Sequence, residues 1–156
     1  MKMIKKIFIL ISVLFLSSCG YDAIHSKKNS INYAFSIAEL TFVGERDINK
    51  KIKEKLNNYV LNEKEKVFTL NISSEKEKEI LAKDLSGDPT SFKQTIIINA
   101  EIFIGGNLKN NLQVIESFNY NNTANKFDLK RYEKEIINNL TETSVEKLIF
   151  KLSNIQ

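Results

Sequence analysis

The sequence is poor in the residues that build disulfide scaffolds, metal centres and nucleophilic active sites. Its 156 residues include one cysteine, one histidine, one proline and no tryptophan. The single cysteine, Cys19, cannot form a disulfide within the chain, so the core has to be stable without a covalent cross-link. The single histidine, His25, has no second histidine or cysteine with which to bind a metal ion or to activate a nucleophile. We interpret His25 as part of a linker.

Catalytic and phosphate-binding motifs are missing as well. The sequence contains neither HExxH nor GxSxG, and the glycine pair in "GGN" (105–107) is not part of a GxGxxG or GK[ST] loop. Its many acids are scattered at spacings that are typical of solvated surfaces. We therefore predict that the protein is not an enzyme and that it needs no cofactor.

The charge balance argues against a general nucleic-acid binder. The chain has 23 basic and 19 acidic residues, for a formal net charge of +4. Three of the basic residues lie among the first six positions, in "MKMIKK". The remainder is close to neutral, whereas proteins that bind nucleic acid without other specificity carry a strong basic excess. We expect no nucleic-acid partner.

The N-terminal segment has the features of a lipoprotein leader. Its lysines precede the apolar run "IFILISVLFL" (7–16), which is too short to span a bilayer but is the right length for a signal peptide. The run ends in "LSSC", which resembles the bacterial lipobox that is cleaved before an acylated cysteine. We predict a signal peptide at 1–18 and a lipid covalently attached to Cys19. Two or more acyl chains hold a protein firmly on a membrane. Gly20, in place of aspartate, fits the sorting pattern for the outer membrane.

The rest of the chain divides into a tether and one domain. Residues 19–32 are polar and without periodicity, which favours a lipidated tether, and we predict a single domain over 33–156. Alternating and helical periodicities predict the order β-α-β-β-β-α. This order predicts an α+β, two-layer sandwich with two amphipathic helices packed on a four-stranded sheet. The predicted ranges are strands at 33–43, 67–74, 92–104 and 112–121, and helices at about 47–61 and 128–152.

Several details follow from the local patterns. A change of alternation near Ala38 predicts a bulge in the first strand, while Asp47 and Asp128 are candidate N-caps. The third strand should have an apolar face around Ile98 and a half-polar face around Asn99. The run "EKEKEILAKD" (75–84) is ambiguous, because it contains good helix formers yet could continue the second strand.

The order of elements and several runs resemble a known family, the lipopolysaccharide-assembly lipoproteins (LptE), in their alpha-proteobacterial form. The runs are "LSSCGY", "ERDINKKIKEKLNNY", "ISSEKEKEILAKDLSGDPTSFKQTIIINA" and "ESFNYNNTANKFDLKRYEKEIINNL". The resemblance implies an outer-membrane lipoprotein, anchored on the periplasmic side. It would plug the lumen of a large β-barrel (LptD-like), help that barrel to assemble, and receive lipopolysaccharide. The alternative is a structural lipoprotein of another envelope complex with the same small sandwich.

The resemblance also implies two lipopolysaccharide-binding residues. Lys83 in "LAKDLSG" and Lys126 in "TANKFDL" occupy the places of basic residues thought to contact lipid A phosphates in the family. Ammonium groups suit phosphate as point charges, although lysines at such places are commonly just exposed to solvent. We expect the two segments to converge at one end of the sheet.

Overall fold

The computed structural model describes residues 35–60 and 64–155. Three predictions lie outside these residues: the signal peptide at 1–18, the lipidation of Cys19 and the tether that contains His25. Within them the elements follow the predicted order β-α-β-β-β-α. The elements are β1 (Phe35–Gly44), α1 (Arg46–Leu56), a 3₁₀ turn (Asn57–Tyr59), β2 (Lys66–Lys83), β3 (Pro89–Ile104), β4 (Asn107–Asn121) and α2 (Lys126–Ser153).

The four strands form one sheet in the order β1-β2-β3-β4. β1 and β2 are parallel, because α1 carries the chain back along the sheet, whereas β2, β3 and β4 pair antiparallel through tight turns. The β3–β4 turn uses Gly105 and Gly106, whose φ angles of 57° and 81° suit a two-residue hairpin. Both helices lie on one face of the sheet, which confirms the α+β, two-layer sandwich.

The first strand contains the predicted bulge. The register with β2 shifts between Ile37 and Glu39, so Leu40 and Phe42 return to the helix side after the shift. At the end of the strand, Gly44 has a φ of 98°, and a Cβ atom there would lie 2.0 Å from the carbonyl oxygen of Ser74. The chain can therefore turn sharply into α1 only with glycine at this position.

Both predicted N-caps were wrong by two or three residues. Glu45 occupies the N-cap position of α1 without a side-chain bond, because the turn at Gly44 starts the helix immediately, and Asp47 lies in the first turn. In α2, Asn125 is the cap, and its side chain accepts hydrogen bonds from the backbone amides of Phe127 and Asp128. Asp128 instead binds the Asn125 amide nitrogen at 2.7 Å. The bonds from the Phe127 and Asp128 amides to Asn125 start the helix at Lys126, three residues before the position that a cap at Asp128 would give.

The end of α1 also differs from the predicted helix over 47–61. The α-helix ends at Leu56 and tightens into the 3₁₀ turn, after which Val60 forms an isolated bridge with Ile37 on the outer edge of β1. Tyr59 stacks on Phe35 with ring centroids 5.1 Å apart. The bridge and the stacking contact return the chain to extended backbone before the predicted helix would have ended.

The ambiguous run at 75–84 is mostly strand. β2 continues to Lys83, paired with β3 over almost its full length, with irregularities only near Ala82. Lys76 and Lys78 point to the helix side, where they bind Glu45 and Glu133, respectively. β3 supplies a complete partner for the backbone, and this outweighs the helix propensity of the glutamates and lysines.

The hydrophobic core lies between the sheet and the helices. On β3, the side chains from Phe92 to Ile102 on the predicted apolar face are buried, while those of the opposite face remain partly accessible. Both helices contribute apolar stripes, and among the described residues no helix is long and apolar enough to cross a membrane. The largest fully buried side chains in the described part of the chain include Phe35, Ile37, Ile48, Ile52, Leu56, Phe68, Leu70, Ile72, Ile96, Ile98, Ile102 and Leu148.

Candidate functional site

Two loops meet at the end of the sheet farthest from Phe35, and we call this region the distal tip. It consists of residues 83–89, where β2 turns into β3, and residues 122–127, where β4 leads into α2. The β2–β3 turn is closed by backbone bonds from Asp84 N to Asp88 O (2.9 Å) and from Gly87 N to Asp84 O (3.1 Å). The Asp84 carboxylate also accepts the amides of Ser86 and Asp88, both at 2.9 Å. The turn is thus held by its own hydrogen bonds.

Asn122 joins the two loops. Its backbone amide donates to the carbonyl of Thr90 at 2.8 Å, and its side-chain amide donates to the carbonyl of Pro89 at 2.6 Å. The Lys126 ammonium donates to the Asn122 side-chain oxygen at 3.2 Å. Together the loops line an open cleft of about 460 Å³, to which Asp84, Asp88 and Lys126 contribute. The two segments therefore converge, as their sequence positions suggested.

The two predicted binding lysines lie at the same end of the molecule but in different settings. Lys126 lines the cleft, whereas Lys83 does not. Lys83 is the last residue of β2, where it pairs with Pro89 of β3. Because β3 lies between β2 and β4, the backbones of those two strands are about two strand spacings apart, on the order of 10 Å. Among residues 35–60 and 64–155, the Lys83 side chain has no hydrogen-bond or ion-pair partner, and its residue is exposed. A ligand-binding role for either lysine stays a prediction.

Of the acids at or beside the distal tip, Asp84 and Asp128 have bonded carboxylates, whereas the Asp88 carboxylate has no partner among the described residues. Besides the Asp84 contacts, Asp128 binds Asn125 and forms an ion pair with Arg131 at 3.2 Å. Elsewhere in the described part of the chain, Lys55, Lys76, Lys78 and Lys147 have carboxylate partners, for example Lys55 with Glu142 at 2.8 Å, whereas exposed helix lysines such as Lys50 and Lys130 have none. Lys83 and Lys126 lack such a partner, which leaves their charge available to an anion.

A polar network lies behind the tip and was not anticipated from the sequence. The Lys78 ammonium lies 4.0 Å from the ring centre of Phe92 and 2.6 Å from the carboxylate of Glu133. Tyr120 donates its hydroxyl proton to the same Glu133 oxygen at 2.9 Å. Burial, followed by this hydrogen bond to a carboxylate, raises the pKa of Tyr120 well above its usual value. The network fastens α2 to β2 and β4, and so fixes the position of the loop before α2.

Two apolar residues of the tip were also missed. Leu85 lies in the β2–β3 turn with an exposed fraction of 109%, and Phe127 lies in the first turn of α2 with 74%. These are the highest values for large hydrophobic side chains in the described part of the chain. Two sequence features could have indicated this exposure. Leu85 lies within the turn sequence "LSGDP", and Phe127 lies outside the apolar stripe of the last helix.

The face of the sheet opposite the helices is half polar, since hydrogen-bonded polar side chains lie beside exposed apolar ones such as Val43 and Ile115. Thr41 donates to Asn71 at 2.6 Å, and Asn71 donates to Glu101 at 3.3 Å, which links β1, β2 and β3. Gln113 likewise donates to Asn99 at 2.9 Å. Cross-strand register places three further glutamates on this face, each opposite a β3 residue: Glu75, Glu77 and Glu79. This open face therefore combines a hydrogen-bonded polar network with exposed apolar side chains.

The chemistry available at the tip is binding chemistry. No group of three or more histidine, cysteine, aspartate or glutamate residues within 35–60 and 64–155 could hold a metal ion. What the tip offers is two ammonium groups, the carboxylates of Asp84 and Asp88, several backbone carbonyls and two exposed apolar side chains. Such a set can hold an anionic group with an apolar attachment by charge-assisted hydrogen bonds and apolar contact.

Comparisons with known proteins identify the fold. No protein-family model and no curated protein matches the sequence. Among solved structures, the chain is similar to a minor lipoprotein from Acinetobacter baumannii, with a TM-score of 0.60, 13% identity, and coverage of 78% of this chain and 91% of that one. It is also similar to rare lipoprotein B from Shewanella oneidensis, with a TM-score of 0.51, 12% identity and coverage of 72% and 91%. A third similar structure is an uncharacterized lipoprotein B from Nitrosomonas europaea, with a TM-score of 0.54, 13% identity and coverage of 78% and 86%.

The domain has an LptE-like fold. The similarity extends over most of each lipoprotein structure, whereas identities of 12–13% carry no information on individual residues. The resemblance inferred from the sequence is thereby supported at the level of the fold, and its alpha-proteobacterial form is not.

Proposed function

We propose that this protein is an outer-membrane lipoprotein, anchored through an acylated Cys19, that plugs the lipopolysaccharide-export β-barrel (LptD-like). In this role it helps the barrel to assemble and receives lipopolysaccharide at the distal tip before release to the cell surface. We further propose that it is the alpha-proteobacterial form of this family, because the runs that carry the resemblance are typical of that form. The observation that carries the proposal is the LptE-like fold shared with lipoprotein B structures.

The open face of the sheet also supports this role. Barrel lumens are polar, so a domain that fills one needs a polar surface toward the wall. The polar part of the open face meets this need, through the hydrogen bonds among Thr41, Asn71 and Glu101. Because these side chains already bond to one another, they can approach a polar wall without leaving unsatisfied groups.

The decisive experiment is the isolation of the full-length protein from detergent-solubilised outer membranes. We expect a large β-barrel protein to co-purify in a fixed ratio. The N-terminal peptide should begin at an acylated Cys19 when its mass is measured. Co-purification with another envelope complex, and no such barrel, would favour a structural lipoprotein instead. An unprocessed "LFLSSCG" peptide as the dominant species would contradict the lipid anchor.

The lysines can be tested separately from barrel assembly. Lys83→Asp combined with Lys126→Asp should weaken lipopolysaccharide capture about tenfold or more, because two charge-assisted bonds are replaced by repulsion. Barrel co-purification should be unchanged, since both substitutions lie at the surface of the tip. Lys50→Asp combined with Lys130→Asp is a matched control for the change in charge on exposed helix positions. If the tip variant and this control capture lipopolysaccharide equally well, Lys83 and Lys126 are ordinary surface charges without a binding role.

A further inference from the structure

We propose that the outer edge of β4 binds an extended segment of the barrel partner, which adds to the sheet as a fifth strand. The proposal rests on the proposed function for the identity of the partner, and it names the surface and the kind of segment that meet. It is carried by the protection of the other sheet edges, by the unbonded backbone of β4 and by the side chains that border it.

Two exposed edges of the sheet are protected against pairing with another chain. The edge strand β1 contains the bulge between Ile37 and Glu39, and Val60 forms a bridge to its outer side. β2 continues beyond its pairing with β1, and there it alternates glutamate and lysine over 75–79. Bulges, covering segments and charges are the devices by which proteins keep an edge strand from accepting a further strand.

The edge of β4 lacks this protection beyond its hairpin. Its register with β3 is irregular only between Ile102 and Phe103, next to the hairpin turn. From 110 to 121 the strand contains no proline and a single charged residue, Glu116, whose charge is neutralised by an ion pair with Lys147 at 2.5 Å. This stretch is therefore a long and regular edge without the usual barriers to pairing.

The outward backbone groups of β4 are bonded near the hairpin. In an antiparallel pair, every second residue directs both its N–H and its C=O away from the neighbouring strand. Two such residues are Asn111, whose amide donates to its neighbour Asn110 at 2.8 Å, and Gln113, whose carbonyl oxygen accepts from the Lys151 ammonium at 2.7 Å. These bonds occupy the first part of the edge.

Farther along the strand the outward groups have no such partner. The same alternation continues through Ile115, Ser117 and Asn119, which are all exposed. Apart from the ladder with β3, no hydrogen bond in the described part of the chain reaches the backbone of these three residues. The stretch from Ile115 to Asn121 spans about 20 Å at roughly 3.3 Å per residue. A row of outward donors and acceptors is a template for an extended backbone, as in strand addition.

The bordering side chains define the chemistry of the segment. Ile115 and Phe118 are exposed by 53% and 46%, and they lie on opposite faces of the sheet because they are three residues apart in a strand. An added strand covers both if its own apolar side chains are three residues apart. Lys147 and Lys151 reach β4 from α2, so neutral or acidic residues fit beside them, whereas basic residues are repelled.

The arrangement of α2 favours a single strand of the barrel over a second copy of this chain. α2 packs on β4 itself, with the rings of Tyr132 and Tyr120 6.1 Å apart. Two copies joined through β4 would place their α2 helices about one strand spacing apart, roughly 5 Å, whereas packed helices need about 8–10 Å. A single strand brings no helix with it, and barrels supply extended segments in their strands and long loops.

Amide hydrogen exchange, resolved by residue, tests this strand addition. The full-length protein in its barrel complex is compared with the same protein expressed without the barrel. Exchange at Ile115, Ser117 and Asn119 should slow about a hundredfold or more in the complex, because their amides then bond to the added strand. The outer edge of β2 over 75–83 is the control and should change by less than about threefold.

Three results of this experiment would overturn the inference. Unchanged exchange at the three β4 residues would mean that water satisfies the edge in the complex. Equal slowing at β4 and at the β2 control would indicate general shielding by the lumen. Slow exchange without the barrel, increasing with protein concentration, would identify a second copy as the occupant.

Proline variants test the role of the backbone. Ser117→Pro removes an outward amide that β3 does not use, and proline is tolerated on edge strands at such positions. It should lower the amount of co-purified barrel about threefold or more, since one outward bond is lost and the added strand is displaced. Asn111→Pro is the matched control, because its outward amide already bonds to Asn110, and should leave co-purification unchanged.

Circular dichroism checks that both proline variants fold. If Ser117→Pro does not fold, Ile115→Lys combined with Phe118→Lys replaces it, since lysines on an edge oppose pairing and leave the backbone as it is. Co-purification equal to that of the control would overturn the inference.

The same purification separates the inference from the proposed function. A co-purified barrel with fast exchange at Ile115, Ser117 and Asn119 would overturn the strand addition and leave the proposed function intact. If the wild-type protein co-purifies with no barrel, both are wrong.

Discussion

The half of the domain near Phe35 and the half near the distal tip are stabilised in different ways. In the proximal half, four strands are covered by two helices, and the interior is apolar and almost inaccessible to solvent, as at Ile52, Leu70 and Ile98. In the distal half, β1 and α1 have ended, and only α2 covers the three remaining strands. Its cluster of buried apolar residues is small, comprising Phe92, Tyr120, Leu129 and Ile136 with Leu140 packed against it.

The sequence of β2 reflects this difference. Its proximal part buries Phe68, Leu70 and Ile72 on the helix side, whereas its distal part presents Lys76 and Lys78 on that side. With one helix absent, a wholly apolar strand would remain exposed. Lysines avoid this exposed apolar surface, because their alkyl stems lie over apolar neighbours while their ammonium groups reach carboxylates. An edge strand with alternating charges also resists pairing with other chains.

The largest effect is expected in the proximal half. Ile98→Asp places an unpaired charge at a fully buried position in the centre of β3, and should lower the free energy of unfolding by about 4 kcal/mol or more. Urea denaturation followed by circular dichroism measures this. Ile115→Asp, at a half-exposed position on the open face of β4, is the control and should cost far less. Equal stability of the Ile98 variant and wild type would mean that the faces of the sheet are reversed.

A smaller, localised effect is expected in the distal half. Phe92→Ala removes the ring that packs on Tyr120 at 5.5 Å and lies beneath Lys78, and should cost about 3 kcal/mol. Because the distal cluster is covered by one helix, the loss should appear as faster hydrogen exchange in 75–97 and 126–136, with slow exchange retained around Leu70. Uniformly faster exchange along the chain would indicate that the two halves unfold as one unit.

The smallest effect concerns the Tyr120 hydroxyl and depends on pH. Tyr120→Phe removes its bond to Glu133 and should cost about 1 kcal/mol at neutral pH. Since the folded-state pKa is raised, the folded protein keeps a proton that the unfolded chain releases above about pH 10. This stabilisation is complete below pH 10 and is lost as pH rises further, by up to about 1.4 kcal/mol per pH unit.

Comparison with the phenylalanine variant isolates this contribution, because the two proteins differ only in the Tyr120 hydroxyl. Thermal unfolding between pH 9 and 11.5 should show a steeper loss of stability in wild type than in Tyr120→Phe. Parallel curves would mean that Tyr120 titrates normally and that the network around Glu133 is weaker than its geometry indicates.

Much of the architecture could be predicted because the information is local. Alternation in β1 and β3, the helical stripes of α1 and α2, and the glycine pair at 105–106 each specify their element within a few residues of sequence. The bulge between Ile37 and Glu39 and the two faces of β3 were predicted for the same reason.

What only the tertiary structure decided depends on residues far apart in sequence. The run at 75–83 is a strand because β3 pairs with it, and α1 begins at Arg46 because Gly44 closes on Ser74. Lys83 and Lys126 share one end of the domain because Asn122 bonds to Pro89 and Thr90 on the neighbouring strand. The exposure of Leu85 and Phe127 could not be predicted either, since an apolar residue in a turn or in the first turn of a helix can be buried or exposed. Which of these occurs is decided by the elements that pack around it, and local sequence does not specify that packing.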